Sequence, residues 1–325
     1  VFPLAIGGSI TTDRVCRKCN SDLGARVDAA LSDFFPIRMH RAKLGLVGNK
    51  GTSPAWYEMF LGEAKLVGQT ANRAQITFDK ATGKLDIRQL YHGADIVTPD
   101  GKKSRQITLD ARDKDQIPKI LQRERKRHNL PPLSDEELAA AAADYTTIAV
   151  GHPLVQRSIS FSFAYLRHAM IKIAYELAFL WFGESYLTDP LAIELCAAIR
   201  NPDIASTDKV AGYVGDAKNC DVFNKYWIPH QEHHLAYATL LSGKDVVISV
   251  RIFDIYAAVV VVSHEPARYI SGVADHAKLR FLAINSISGR TINTTFDEES
   301  RRIATAMTAH HHLPPFPDPL TLLSG

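Results

Sequence analysis

Apolar positions near the start of the chain repeat with helical spacing. From Asn20 onward Leu23, Val27, Ala30, Leu31 and Phe34 recur every three or four residues, while Asp22, Arg26 and Ala29 fall elsewhere, so a helix with one apolar face is expected. Phe35-Pro36 stops it, because proline disfavours helix at the preceding residue. A basic stretch, Arg38 to Lys43, and a glycine-rich loop, Gly45 to Gly51, come next.

Residues 62–109 read as strands. Ala74 to Phe78 and Leu85 to Arg88 flank a hairpin loop with Gly83 at a left-handed position, and Thr98 to Lys102 forms a turn before the strand-like Arg105 to Leu109. A charged helix is expected from about Lys114 to Arg127. Asn129 to Leu133 breaks the pattern, and Ser134 with Glu137 forms a capping box ahead of an alanine-rich helix. The main linker is placed between residues 128 and 152.

The C-terminal half opens with a long helix near Ser160 to Phe182. A second helix starts at Asp189-Pro190, an N-cap followed by proline at the first helical position, and runs to about Arg200. Strands are expected at Ala236 to Leu241, Val246 to Phe253 and Tyr256 to Ser263, the run Ala257 to Val262 being buried on both faces. The proline-rich tail from Leu313 is irregular. The fold class is α+β, divided as 1–45, 46–150 and 151–325, with no internal repeat.

Composition adds little until its distribution is read. The formal charge is only +3, yet residues 1–50 hold eight basic groups against four acidic ones. Positive charge therefore gathers on the N-terminal segment, where a phosphate backbone would need it. Four cysteines in 325 residues are no disulfide framework and point to a reducing cytoplasm. The longest apolar run, Ala169 to Phe182, carries Lys172 and Glu176 and falls short of a membrane span. Those two residues are expected as an exposed i,i+4 ion pair.

Cys16-Arg-Lys-Cys19-Asn20 is the most informative string. Two thiolates two residues apart can share one tetrahedral zinc, but they supply only two of four ligands. With Pro3, Gly7, Gly8, Gly24 and Asp28 in order and spacing, the string resembles the HNH (ββα-metal) endonuclease family. The likeness is to the subgroup patterned C-x-x-C, Glu/Asp-His-x-x-Pro, Gly-Gly, C-x-x-C-Asn. It covers about residues 1–35. In that register the family's histidine falls immediately before Val1 and the first zinc pair further upstream, so the segment is expected to be the truncated back half of the motif. Thr11 stands where the family usually has asparagine.

The resemblance implies hydrolysis of a nucleic-acid phosphodiester, with DNA the expected partner. A bacterial setting, in defence or mobile-element biology, comes from the family's habit and not from residues. The resemblance also implies a structural zinc on Cys16 and Cys19, and a catalytic magnesium, manganese or other divalent ion beside Asn20. Arg14, Arg17 and Lys18 would contact phosphates, which positions nucleic acid without reading its sequence. Each residue also has a plainer reading. The thiols could hold a purely structural zinc, Asn20 could be a helix N-cap, and the basic trio could be a solvated face. Asp28 could be a surface or capping residue. A non-cleaving, zinc-dependent nucleic-acid-binding or interaction protein is the alternative. Elsewhere, His230, His233 and His234 would converge on a metal only if helical, His310 to His312 are adventitious, and Gly48 to Thr52 lacks phosphate-loop spacing.

Overall fold

A computed structural model describes residues 1–48, 51–68, 73–97, 99–101, 103–148, 153–158, 162–201, 213–216 and 231–309. Cys220, His230, His310 to His312 and the tail from Leu313 lie outside them. The helices are α1 (Arg17–Leu23), α2 (Ala29–Asp33), α3 (Phe35–Leu44), α4 (Ile117–Arg127), α5 (Asp135–Ala143), α6 (Phe163–Phe182), α7 (Pro190–Arg200) and α8 (Phe296–Ala309). The strands are β1 (Gly62–Leu66), β2 (Arg73–Asp79), β3 (Lys84–Gln89), β4 (His92–Val97), β5 (Lys103–Thr108), β6 (Val155–Gln156), β7 (Tyr213–Asp216), β8 (His233–Leu241), β9 (Asp245–Ile252), β10 (Tyr256–Ser263), β11 (Arg280–Asn285) and β12 (Thr291–Thr295). The fold is α+β, and among the described residues no helix is long and apolar enough to cross a membrane.

The chain divides into two compact units: Val1–Trp56 with Phe161–Gly325, and Tyr57–Ser160. The first is discontinuous. Its centre is an antiparallel sheet in the order β12-β11-β8-β9-β10-β7. Side chains alternate across β8, as the two-residue period of a strand requires. Ala236 and Ala238 join the large core that includes α6, while Leu235 and Tyr237 join a smaller cluster with Ile303 of α8. α6 is buried on most sides, with Ala169, Met170, Ile173, Ala174 and Leu177 fully covered. Asp189 caps α7 by accepting from the Leu191 N–H, and its other oxygen accepts from the Ser263 and Tyr269 hydroxyls at 2.6 and 2.8 Å.

In the second unit β3-β2-β1-β6 form one sheet and β4-β5 a hairpin. Gly83 takes φ +68° at the expected hairpin position, and both halves of the Ser134–Glu137 capping box are present. Asp110 accepts from the backbone of Arg112 and Gln89 and from the Arg112 guanidinium, which holds its carboxyl well below the usual range.

Three local expectations change. The basic stretch Arg38 to Lys43 is helical, because Phe34 leaves helical backbone at ψ 125° and Pro36, in the first turn, restarts a helix, α3. His233 and His234 lie on β8, not on a helix, so neighbouring imidazoles point to opposite faces and cannot converge on one ion. Lys172 and Glu176 are only 5% and 9% exposed. Their helix is apolar nearly all round, and the N-terminal segment covers the polar remainder.

Candidate functional site

The N-terminal segment is built on two tight contacts. Leu4–Ile6 form a 3-10 turn after Pro3, closed by Gly7 at φ +85°. A Cβ on Gly7 would lie 2.3 Å from the Ser286 carbonyl oxygen, and one on Gly8 would lie 2.1 Å from that of Phe2. The Gly-Gly pair is therefore a steric requirement for seating this turn against the sheet. The Val1 nitrogen donates to Ile10 O at 2.9 Å, pairing the two arms of the loop.

Past the loop, Cys16 is the N-cap of α1 and its Sγ accepts the Cys19 N–H at 3.3 Å. Asn20 is thus one turn inside the helix, its own N–H bonded to Cys16 O, which removes the N-cap reading. The Cys19 N–H holds the Cys16 thiol below its ordinary pKa, and the Cys16 sulfur in turn pushes that of Cys19 up. Cys16 thus sits at a helix N-terminus, the setting that favours thiolate. Arg200, closing α7, favours the Cys19 thiolate. Cys16, Arg17, Lys18, Cys19 and Asn20 are all exposed.

Between α1 and α2 the chain makes one π turn, Gly24–Asp28, with the Ala29 N–H bonding to Gly24 O. Such a turn inserts a residue into the helical repeat and re-aims the side chains beyond it. Val27 and Leu31 enter the core, and Asp28 meets Lys172 at 2.9 and 3.2 Å. Lys172 also bonds Val1 O at 3.3 Å and lies 3.4 Å from Glu176. Burial raises the Glu176 carboxyl pKa. Lys172 and Glu176, unlike an exposed pair, have given up nearly all their water, while Asp28 is half-buried beside them.

Two more side chains fasten the same segment. Arg41, 7% exposed, donates to Ala5 O at 2.5 Å and Ser32 O at 3.1 Å. His234 is fully buried, stacks on Phe2 and bonds Ile6 O through Nε2 at 2.7 Å, while its Nδ1 accepts the Phe253 N–H at 3.3 Å. One ring nitrogen must donate and the other accept, so the imidazole is neutral and protonated on Nε2. Burial lowers its pKa to about 4. Sequence reading misses these anchors: Arg41 stands in a basic stretch and His234 ends a polar run, and neither pattern points to its distant partner.

Of the proposed phosphate contacts, Arg14 pairs with Glu184 at 3.3 Å and lies 3.8 Å from Asp13. It borders a groove of 510 Å³ whose walls include Thr11, Thr12, Phe179 and Leu180. Arg17 and Lys18 occupy the first turn of α1 beside the thiols. Cys196 lies on α7 beside Tyr175, whose pKa burial and that thiol push up to about 12.

The thiols suit half of a tetrahedral zinc site. Among the described residues no group of three His, Cys, Asp or Glu side chains could hold a metal ion. Asn20 presents one neutral amide oxygen on the same exposed helix.

A family model described as HNH endonuclease matches residues 1–36. This supports the HNH family at a coarse level for that segment and suggests a nuclease-type function; the family's members usually use metal ions and bind nucleic acid. No curated protein matches the chain, and no solved structure matches it.

Proposed function

We propose that residues 1–36 are the helix-bearing half of a metal-dependent HNH endonuclease module acting on DNA. Cys16 and Cys19 supply two ligands of a structural zinc. Asn20 presents its amide oxygen to a catalytic magnesium or manganese ion, which when bound stabilises charge on the scissile phosphate. Arg14, Arg17 and Lys18 hold neighbouring phosphates. For Arg14 this means exchanging Glu184 for a phosphate oxygen. The general base is a histidine contributed immediately upstream of Val1, which must reach the attacking water at hydrogen-bonding distance.

One observation carries this reading. Two thiols at the start of α1 and an amide one turn in are exposed within the matched segment, while Ala5, Ile6 and Asp28 on either side are held by buried partners. A turn held only for packing would not need its donors in solvent.

The test is plasmid nicking with magnesium or manganese, by this chain and by one extended through its upstream coding sequence. The extended chain is expected to nick and this chain is not. Equal nicking by both would overturn the upstream base. DNA binding without nicking by the extended chain would return the non-cleaving alternative.

A further inference from the structure

α4, in the second unit, carries five basic residues and one acidic residue. Lys119, Arg123, Lys126 and Arg127 stand at i, i+4, i+7 and i+8 and are all exposed. That spacing gathers four cations on one helix face, over a length of about 12 Å at 1.5 Å per residue. The adjoining face is apolar or neutralised. Ile120 is buried, and so is Glu124, which Arg105 of β5 and Arg127 engage at 2.7 and 2.9 Å. The single acid of the helix thus faces inward, and the field outside it is positive.

We infer that this face of α4 is a second nucleic-acid contact, docking the phosphate backbone of duplex DNA without reading sequence; the choice of DNA rests on the nuclease reading. Charge complementarity is the argument. Lys119, Arg123 and Lys126, flanked by the Glu124-paired Arg127, match a polyanion whose duplex carries one charge per roughly 1.7 Å of axis. Single strands are held by stacking on exposed rings, and the ring beside this stripe, Tyr91, lies beneath Arg123, whose guanidinium carbon is 5.8 Å from its centroid. The adjoining groove of 360 Å³, bordered by Tyr91, Lys119 and Arg123, also includes Asp113, which pairs with Arg88. Lys119, Arg123 and Lys126 repel each other on this face unless an anion joins them, since like charges at helical spacing destabilise, and the one acid of the helix is spent on Arg105 and Arg127.

The experiment is fluorescence anisotropy of the full chain with two unrelated DNA duplexes and a single strand of equal length, across a salt series. The chain is expected to bind both duplexes alike and the single strand more weakly. Lys119→Gln with Lys126→Gln is expected to weaken duplex binding roughly tenfold near 100 mM salt, and to flatten the log–log salt slope by about two. Lys119→Arg with Lys126→Arg should retain binding. Lys80→Gln with Lys84→Gln, on the β2–β3 turn, controls for net charge and should change neither quantity. Matching circular dichroism and melting curves establish that the variants fold. No duplex binding at low salt, an unchanged slope in the glutamine pair, or an equal loss in the Lys80/Lys84 control would overturn the proposal. Preference for the single strand would overturn its duplex assignment. The outcomes separate from the nuclease reading: stripe-dependent binding by an extended chain that never nicks leaves this proposal standing, and nicking that ignores the stripe removes it alone.

Discussion

The buried and exposed sides of the N-terminal segment are built on opposite principles. Underneath, Arg41, His234 and the Asp28–Lys172–Glu176 cluster give up hydration for fixed partners, and Gly7 and Gly8 admit nothing larger than hydrogen. On top, the same stretch leaves Cys16, Cys19 and Asn20 in water with little but each other. Desolvated charges are costly unless well paired, so the lower side fixes position. The upper side contributes little to stability and is free to serve chemistry.

Removing one partner from the buried cluster should have the largest effect. Lys172→Met leaves Asp28 without its cation and Glu176 with only the Val1 ammonium, 3.8 Å away, and is expected to cost about 3–5 kcal/mol in urea denaturation. Adding Asp28→Leu and Glu176→Leu should recover most of that. A loss under about 1 kcal/mol would mean that the cluster behaves like an exposed ion pair.

Acid probes the His234 anchor. Its folded pKa, about 4, lies below the ordinary histidine value of 6.5, so the unfolded chain binds more protons between those values. The contribution is therefore complete above pH 6.5 and is lost as pH falls toward 4, amounting to about 3 kcal/mol by linkage. Denaturation at several pH values should show His234→Gln less stable at neutral pH but less sensitive to acid. An identical pH slope in both proteins would remove His234 as the cause.

The exposed side should respond least. With a chelator present, Cys16→Ser with Cys19→Ser is expected to change stability by less than about 0.5 kcal/mol, since surface substitutions rarely do more and serine is a good N-cap. A larger loss would show the thiols to be part of the packing.

Much of the local structure is legible in the sequence, because its signals are local. The Ser134–Glu137 capping box, the Asp189-Pro190 start of α7 and the Gly83 turn each depend on a few neighbouring residues. The illegible part depends on distant residues. No pattern around Lys172 says that Asp28, 144 positions away, will meet it, and helical spacing in His230–His234 misleads because β8 begins at His233. β11, β12 and α8 escape sequence reading for the same reason: their apolar faces acquire meaning only against β8. At the candidate site the thiol pair is legible as a motif, while the buried scaffold under it is not.

The most direct test of the upper face is its metal. Zinc content should be measured by elemental analysis on a chain extended upstream, alongside its Cys16→Ser and Cys19→Ser variants. One zinc per chain, lost with either substitution, is the expected result. Zinc retained in both variants, or absent from the extended chain, would contradict the assignment of these thiols to a nuclease metal site.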